Sequence, residues 1–232
     1  MAGGWRYPAC TAPPPVSARS THPPPPLVPT LIGMSQFLGA VLTGGRSTRM
    51  GEDKAAVEIA GRPMSAWVTS ALRSSIPGAD RLIVLGRNPL GEIPNLQDRP
   101  GDGPLSGLAA LADLPEDFGP TPDAVLLVAV DHPWVRPTTL RALLDRYSGL
   151  AVVPIDRDVR QVACALYPWS YVAAAAEGAA AGQGFQTLLD GSEFDGIEDE
   201  WAKWGEDGRS WFSVDAPADV TEGLRRFGAP PG

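Results

Sequence analysis

Continuous apolar runs alternate with amphipathic segments along most of this chain. Two runs, FLGAVL at Phe37–Leu42 and AVLLVAV within residues 123–130, are apolar at nearly every position, which is typical of strands buried on both faces of a sheet. Met64–Ser75 instead has apolar residues at helical spacing, and Pro63 precedes it as a favoured first-turn residue. Strands that alternate with helices in this way predict an α/β domain with a doubly wound, parallel or mixed sheet.

The same patterns predict the remaining elements. We expect further strands at residues 82–85, 93–97, 150–153 and 161–167, and helices at residues 104–112, 138–147, 171–181 and 184–189. Residues 194–209 show no clear period, so we interpret them as a surface loop or an edge hairpin. Residues 211–214 are predicted to form a strand that runs directly into a last helix, with Pro217 in its first turn.

The first 34 residues have a different composition from the rest of the chain. They contain two proline clusters, and proline cannot donate the hydrogen bonds of a helix or a ladder. We expect residues 1–34 to be a disordered extension, or upstream sequence translated in error with Met34 as the true start. A polyproline ligand for a partner is the alternative. The folded domain is expected to span residues 35–228.

Composition restricts the class of protein. The chain has 232 residues, enough for one α/β domain, with 44% hydrophobic residues and a formal net charge of −8, which argues against a general nucleic-acid binder. No apolar run approaches the roughly 18 to 20 residues of a membrane helix. Two cysteines, Cys10 and Cys164, are too few for a disulfide framework or a zinc site. We therefore expect a cytoplasmic protein that binds neither nucleic acid nor membrane.

The loop after the first strand has the residues of an anion-binding site. Thr43, Gly44 and Gly45 form a turn that needs glycine, and the cations Arg49 and Lys54 follow. Backbone N–H groups in such a turn, with nearby cations, suit a polyphosphate. The spacing excludes the Walker pattern and the G-x-G-x-x-G dinucleotide fingerprint.

A carboxylate follows the most hydrophobic strand. Asp131 comes directly after the strand, where α/β sheets place ligands, and magnesium takes carboxylate oxygens together with phosphates and water. Asp131 is therefore the predicted Mg²⁺ ligand. His132 is interpreted as packed or solvated rather than catalytic, because no nucleophile accompanies it. Asp215, near the end of the chain, is predicted either to be a second metal or water ligand or to neighbour the N-cap of the last helix.

Three motifs together resemble one family. The loop L-x-G-G-x-S-x-R-M-G-x-D-K at residues 42–54, the segment Gly-Pro-Leu-Ser-Gly at 103–107 and Asp131-x-Pro133 resemble the signature of nucleotidyltransferases, most closely the molybdenum cofactor guanylyltransferase (MobA) family. The resemblance covers residues 36–227. It implies a three-layer, doubly wound, Rossmann-like nucleotidyltransferase domain with a mostly parallel sheet.

The resemblance also implies a reaction, a cofactor and partners. It implies Mg²⁺-dependent transfer of GMP from GTP to the phosphate of molybdopterin carrying molybdenum, and as further partners a molybdoenzyme or cofactor-insertion protein. Arg49, Lys54 and Asp131 are the implied catalytic residues. The implied nucleotide contacts are Leu42, Thr43, Gly44, Gly45, Lys54, Asp98, Gly107 and Asp131, and the implied metal ligands are Asp131 and Asp215.

Some positions depart from the family pattern and leave alternatives open. Thr43 replaces a common alanine, and Leu85-Gly86 stands where the family often has asparagine, for which Asn88 is a candidate substitute. The alternative functions are a cytidylyltransferase of the same cofactor and another small-acceptor nucleotidyltransferase. From a different class, the alternative is a non-catalytic nucleotide-binding protein.

Overall fold

The structure, a computed structural model, describes residues 36–43, 54–76, 81–99 and 103–231. The chain divides into two units, residues 1–34 and 35–232. The predicted extension at residues 1–34 lies outside the described residues. In the second unit, helices cover both faces of a central sheet, so the predicted three-layer α/β architecture with a mostly parallel sheet is confirmed.

Ten strands lie within the described residues. They are β1 (Phe37–Leu42), β2 (Glu58–Ile59), β3 (Arg62–Pro63), β4 (Leu82–Leu85), β5 (Asn95–Leu96), β6 (Ala124–Ala129), β7 (Ala151–Asp156), β8 (Val159–Arg160), β9 (Cys164–Pro168) and β10 (Phe194–Ile197). β2 and β3 form a separate antiparallel pair. The others form one sheet in the order β10-β7-β9-β6-β1-β4-β5, with β8 paired to β7.

The helices of the described residues connect these strands. They are α1 (Met64–Ser75), α2 (Pro104–Ala110), α3 (Pro137–Asp145), α4 (Ser170–Ala180), α5 (Phe185–Asp190) and α6 (Pro217–Phe227). Short 3₁₀ helices lie at Lys54–Ala56, Leu111–Asp113, Glu116–Phe118, Asp199–Trp204 and Arg209–Trp211. The predicted β1, α1 and β4 agree with the structure residue for residue.

Strand direction decides which chain segments meet. β6, β1, β4 and β5 are parallel neighbours, and β10 is parallel to β7, whereas β9 runs antiparallel between β6 and β7. The carboxyl ends of β1, β4, β6 and β7 therefore share one edge of the sheet. In an α/β sheet this edge is where ligands bind.

Each central strand is buried on both faces. On one face, Leu38, Leu42 and Val125 pack with α2, α4 and α5; on the other, Val41 and Leu126 pack with α1 and α3. Successive residues of a strand point to opposite faces, so a strand covered by helices on both sides must be apolar throughout. This explains the continuous apolar runs of the sequence.

Two predicted elements are wrong. Residues 194–209 are not a surface loop or edge hairpin throughout, because Phe194–Ile197 forms β10 and extends the main sheet in parallel with β7. Residues 211–214 do not form a strand, because Arg209–Trp211 is a 3₁₀ helix. After this helix, Val214 N donates a backbone hydrogen bond to Asp131 O at 2.9 Å, at the edge of the sheet. In both segments tertiary contacts determine a conformation that short-range pattern does not specify.

The last helix packs on a buried tryptophan. Trp134 is fully buried, and its Nε1 donates a hydrogen bond to the Gly228 carbonyl at 2.8 Å. Gly223, in the middle of α6, lies against the ring so closely that an added Cβ would be 2.3 to 2.7 Å from three of its carbon atoms. Glycine at position 223 therefore allows α6 to approach the tryptophan.

Replacing Gly223 with alanine is expected to destabilise the protein. Overpacking a fixed ring costs about 1–3 kcal/mol, which exceeds the roughly 0.5–1 kcal/mol that alanine gains in a helix. Gly178→Ala in α4 is the matched control, since its added Cβ would be 3.2 Å from the flexible end of Gln183 and 3.4 Å from Leu105. Thermal unfolding should show a lower midpoint for Gly223→Ala only, and equal midpoints for the two variants would contradict this account.

A buried carboxylate holds the segment before the last helix. Glu206 is 4% exposed and accepts five hydrogen bonds, from the hydroxyls of Thr139 and Ser210 and from the backbone N–H groups of Asp207, Gly208 and Ser210. Because Thr139 belongs to α3, this carboxylate ties the segment after β10 to that helix.

Among the described residues no helix is long and apolar enough to cross a membrane.

Candidate active site

Three predicted site residues meet at the carboxyl edge of the sheet. The ammonium of Lys54 donates hydrogen bonds to Asp131 Oδ2 at 3.2 Å and to Asp215 Oδ1 at 2.6 Å. The Lys54 and Asp131 side chains are 18% and 23% exposed, whereas Asp215 is 60% exposed. The three side chains thus form a cluster that is half-buried on one side and open to solvent on the other.

Different elements hold the members of this cluster. Asp131 follows β6 after a single intervening residue, Val130, and its carbonyl accepts the Val214 N–H that places Asp215 beside it. Lys54 begins a 3₁₀ helix tied to α1, because Ser65 Oγ donates to the Ala55 carbonyl at 2.7 Å. The backbone at all three positions is therefore anchored.

The cluster is held by charge. Burial alone would lower the pKa of Lys54, but the hydrogen bond to Asp215 and the charges of both carboxylates outweigh it and raise the pKa above its usual value. Lys54 is therefore a full cation at neutral pH. One positive charge between two carboxylates leaves the three groups with a net negative charge.

His132 lies against the cluster without joining it. Its Nε2 is 3.7 Å from Asp131 Oδ1, and its Nδ1 has no hydrogen-bond partner among the described residues. Burial lowers the pKa of the imidazole, although Asp131 and Asp215 oppose that shift. The side chain is buried, in agreement with the interpretation of His132 as a packed residue.

A second group of predicted site residues lies beside β1. An added Cβ at Gly107 would be 2.3 Å from Leu42 Cδ2 and 3.5 Å from Asp98 Oδ1. The glycine therefore lets α2 approach the end of β1, close to Asp98, which follows β5 at the same edge of the sheet. Thr43 extends this edge, with its N–H donating to the Leu85 carbonyl at 2.9 Å.

A third carboxylate at this edge of the sheet, that of Asp98, is half-buried. Burial raises the pKa of Asp98, and the nearby charge of Arg87 opposes the rise. A carboxylate in this position, close to Gly107, can accept hydrogen bonds from a ligand that covers it.

Three predicted residues, Gly44, Gly45 and Arg49, lie outside the described residues. Asp215 directly precedes the N-cap residue of α6, as one of its two alternatives predicts, and its role as a metal or water ligand stays a prediction. Ala216 is the N-cap residue of α6, and Asp219 Oδ2 accepts the N–H groups of Asp215 and Ala216 at 2.8 Å. Asp219 therefore caps the helix, and the Asp215 side chain contacts Lys54 instead.

Sequence reasoning missed one residue that shapes this edge. Asn95 in β5 donates from Nδ2 to the carbonyls of Val84 and Gly86, at 3.2 and 2.9 Å, and so fixes the backbone where β4 ends. Asparagine is uncommon inside strands, and this is the feature of the sequence that could have indicated a role for Asn95. The Asn88 candidate lies beyond Gly86 in the same turn region.

A cavity among the described residues lies outside the cluster. It has a volume of about 710 Å³ and lies between α1 and the segment 89–94, with Arg73 and Glu92 as its charged lining residues. None of the predicted site residues lines it. The cluster instead lies on an open edge of the sheet, which suits a ligand that is only partly enclosed by the protein.

The fold is that of a nucleotidyltransferase domain. The chain belongs to the family described as the MobA-like NTP transferase domain, whose model matches residues 39–196. This confirms the resemblance stated from the sequence motifs. Asp215 lies beyond the matched region.

Named relatives agree with this family. The chain is 37% identical over 109 residues to the molybdenum cofactor guanylyltransferase of Xanthomonas euvesicatoria pv. vesicatoria, over 47% of this chain and 53% of that protein. It is 29% identical to the probable molybdenum cofactor guanylyltransferase of Natronomonas pharaonis, over 84% of this chain and all of the relative. The first of these matches thus spans about half the length of the relative.

A solved structure shares the fold. The crystal structure of molybdopterin-guanine dinucleotide biosynthesis protein A from Archaeoglobus fulgidus superimposes with a TM-score of 0.66, over 81% of this chain and 96% of that chain. The two sequences are 20% identical, so this similarity bears on the fold alone.

Proposed function

We propose that this protein transfers GMP from GTP to the terminal phosphate of molybdopterin carrying molybdenum and releases pyrophosphate. The observation that carries the proposal is the cluster of Lys54, Asp131 and Asp215 at the carboxyl edge of the sheet. The names of the relatives support guanine as the base and the molybdenum cofactor as the product.

The residues of the cluster fit a magnesium ion. Oxygen atoms of Asp131 and Asp215 already converge on one cation, the Lys54 ammonium, and carboxylate oxygens are the ligands that Mg²⁺ prefers. The described residues contain no group of three or more His, Cys, Asp or Glu side chains arranged to hold a metal. Two carboxylates, with phosphates and water completing the coordination, are the usual arrangement for magnesium with a nucleotide.

The cations of the site are proposed to bind the triphosphate. Lys54 pairs with β- or γ-phosphate oxygens, and Arg49 is assigned the same role from the sequence. A Mg²⁺ ion held by Asp131 and Asp215 would polarise phosphate oxygens and offset the charge that develops on pyrophosphate. Asp131 and Asp215 would hold this ion at the exit of β6, beside the end of β1.

The remaining predicted contacts are proposed to bind the nucleoside. Backbone groups of Leu42 and Thr43 face the nucleotide where β1 ends, and Gly44 and Gly45 are assigned the same role from the sequence. Gly107 lets α2 pack against Leu42 beside them. Asp98 accepts hydrogen bonds from the base or ribose at the same edge. These contacts orient the α-phosphorus toward the acceptor.

The reaction needs positioning more than proton transfer. An acceptor phosphate oxygen attacks the α-phosphorus of GTP, a new P–O–P bridge forms, and the bond between the α- and β-phosphates breaks with pyrophosphate as the leaving group. The attacking phosphate is already an anion at neutral pH, so no strong general base is required. Fixed cations reduce the repulsion between the two anionic substrates.

Calorimetric titration of GTP and CTP into the full chain, each with and without Mg²⁺, tests this function. We expect magnesium-dependent binding of GTP and much weaker binding of CTP. Pyrophosphate release should then require GTP, Mg²⁺ and the pterin acceptor together. Preferential binding of CTP would contradict the guanylyl assignment, and binding of nucleotide without any turnover would favour a non-catalytic nucleotide-binding protein.

A further inference from the structure

Lys54 occupies the position that a divalent cation would need. Its ammonium lies within 3.2 Å of one oxygen from each carboxylate of the acidic pair, Asp131 and Asp215. A Mg²⁺ ion binds carboxylate oxygens at roughly 2.0–2.1 Å. An ion bound to the same two oxygens would therefore lie in the space of the ammonium or directly against it.

The two cations cannot share the acidic pair at low cost. Like charges a few ångströms apart repel strongly, especially where one side of the cluster is shielded from water, as the Lys54 and Asp131 side chains are. One cation must leave before the other can bind both carboxylates.

The Lys54 side chain is able to leave without disturbing the backbone. Its main chain is fixed in the 3₁₀ helix Lys54–Ala56, where Ala55 is buried and bonded to Ser65 in α1. The ammonium, in contrast, is at the end of four flexible bonds and faces a half-open surface. Rotation of the side chain alone moves the charge from the carboxylates toward the solvent side of the site.

We propose that Lys54 is the resident cation of the acidic pair in the nucleotide-free protein and exchanges for the divalent ion when the nucleotide binds. This inference rests on the proposed function. The triphosphate accepts the released ammonium, so each charge keeps a partner throughout the exchange. The acidic pair therefore binds a free divalent ion weakly and binds it well together with a polyphosphate.

The direction in which Mg²⁺ affinity changes in a Lys54 variant, without and with nucleotide, distinguishes this role from a merely structural one. Lys54→Met keeps an unbranched side chain of similar length and removes the charge. Without nucleotide, this variant should bind Mg²⁺ at least about tenfold more tightly than the unaltered chain, because the competing cation is gone. With GTP present, the same variant should bind Mg²⁺ and nucleotide more weakly, because a phosphate contact is gone.

The chain offers a matched control, since its sequence contains only two lysines, Lys54 and Lys203. Lys203 is exposed in the 3₁₀ helix Asp199–Trp204, and Lys203→Met should leave both affinities unchanged. Titration calorimetry of the three full-length proteins with Mg²⁺ alone, and with Mg²⁺ plus GTP, measures all six affinities.

Nuclear magnetic resonance on the unaltered chain gives a readout that does not depend on a variant. Selective isotope labelling of lysine side chains should give two signals, one for each lysine. Saturating Mg²⁺ alone should shift the Lys54 signal toward that of a solvated lysine and leave the Lys203 signal in place. Binding of Mg²⁺ that leaves the Lys54 signal unchanged would overturn the exchange.

Failure of this inference can be told apart from failure of the proposed function. If the unaltered chain binds GTP in a magnesium-dependent way, but Lys54→Met binds Mg²⁺ alone no more tightly than the unaltered chain, the exchange is overturned and the proposed function is left intact. Absence of magnesium-dependent nucleotide binding in the unaltered chain would overturn the proposed function, and the exchange with it.

Discussion

Replacing Asp131 with asparagine is expected to reduce turnover by about 10² to 10³-fold while the protein stays folded. Asparagine preserves the shape of the side chain and one oxygen acceptor, but it removes the negative charge that attracts the divalent ion and holds Lys54 at 3.2 Å. The loss should appear mainly in kcat, because the Asp131 carboxylate would hold the divalent ion that offsets the charge of the departing pyrophosphate. Magnesium-dependent release of pyrophosphate from GTP in the presence of the acceptor measures the effect.

The control lies at the other end of the same strand. Asp123 immediately precedes β6, and its Oδ2 accepts the Gln36 N–H at 2.6 Å, an interaction that asparagine can retain. Asp123→Asn should therefore keep near-normal turnover. Comparable activity in both variants, with equal thermal stability, would contradict the role of Asp131.

Replacing Glu206 with glutamine is expected to lower the free energy of unfolding by about 3 kcal/mol. The carboxylate accepts five hydrogen bonds in a buried position, and glutamine would direct an NH₂ group at donors that need an acceptor. Urea denaturation followed by circular dichroism measures this loss. The exposed Glu198→Gln serves as the matched control and should change stability by less than about 0.5 kcal/mol.

The Glu206 result also separates stability from chemistry. Glu206 holds the segment before Asp215 but is not part of the acidic pair. Below its lowered unfolding temperature, Glu206→Gln should therefore turn over near normally. Equal stability of Glu206→Gln and Glu198→Gln would show that the buried network contributes little.

The central layers of the fold were predictable because burial leaves a clear pattern. Phe37–Leu42 and Ala124–Ala129 lie between two helix layers, so nearly every residue must be apolar. α1 was predictable from Pro63 and a helical spacing of apolar residues. β10 was not, since Phe194–Ile197 is partly exposed and contains a glycine, and it becomes a strand only through pairing with β7.

The site was predictable as a set of residues but not as a set of contacts. The sequence motifs indicated Lys54, Asp131 and Asp215 one by one, and the backbone hydrogen bond from Val214 N to Asp131 O explains why the last two meet. That Lys54 bridges both carboxylates depends on side-chain geometry across the sheet. Glu206 could not be singled out among the acidic residues that surround it, because its hydroxyl partner Thr139 is distant in sequence.

The Val214–Asp131 contact also has a consequence for protein synthesis, because the chain is made from its N-terminus to its C-terminus. Within the part of the chain that the structure describes, the last strand ends at Ile197, so its ten strands are synthesised before Asp215. A nascent or shortened chain that stops between these positions would carry those ten strands and only half of the acidic pair. Such a chain could adopt much of the architecture and still be inert, so abundance of folded protein and catalytic competence would diverge in truncated products.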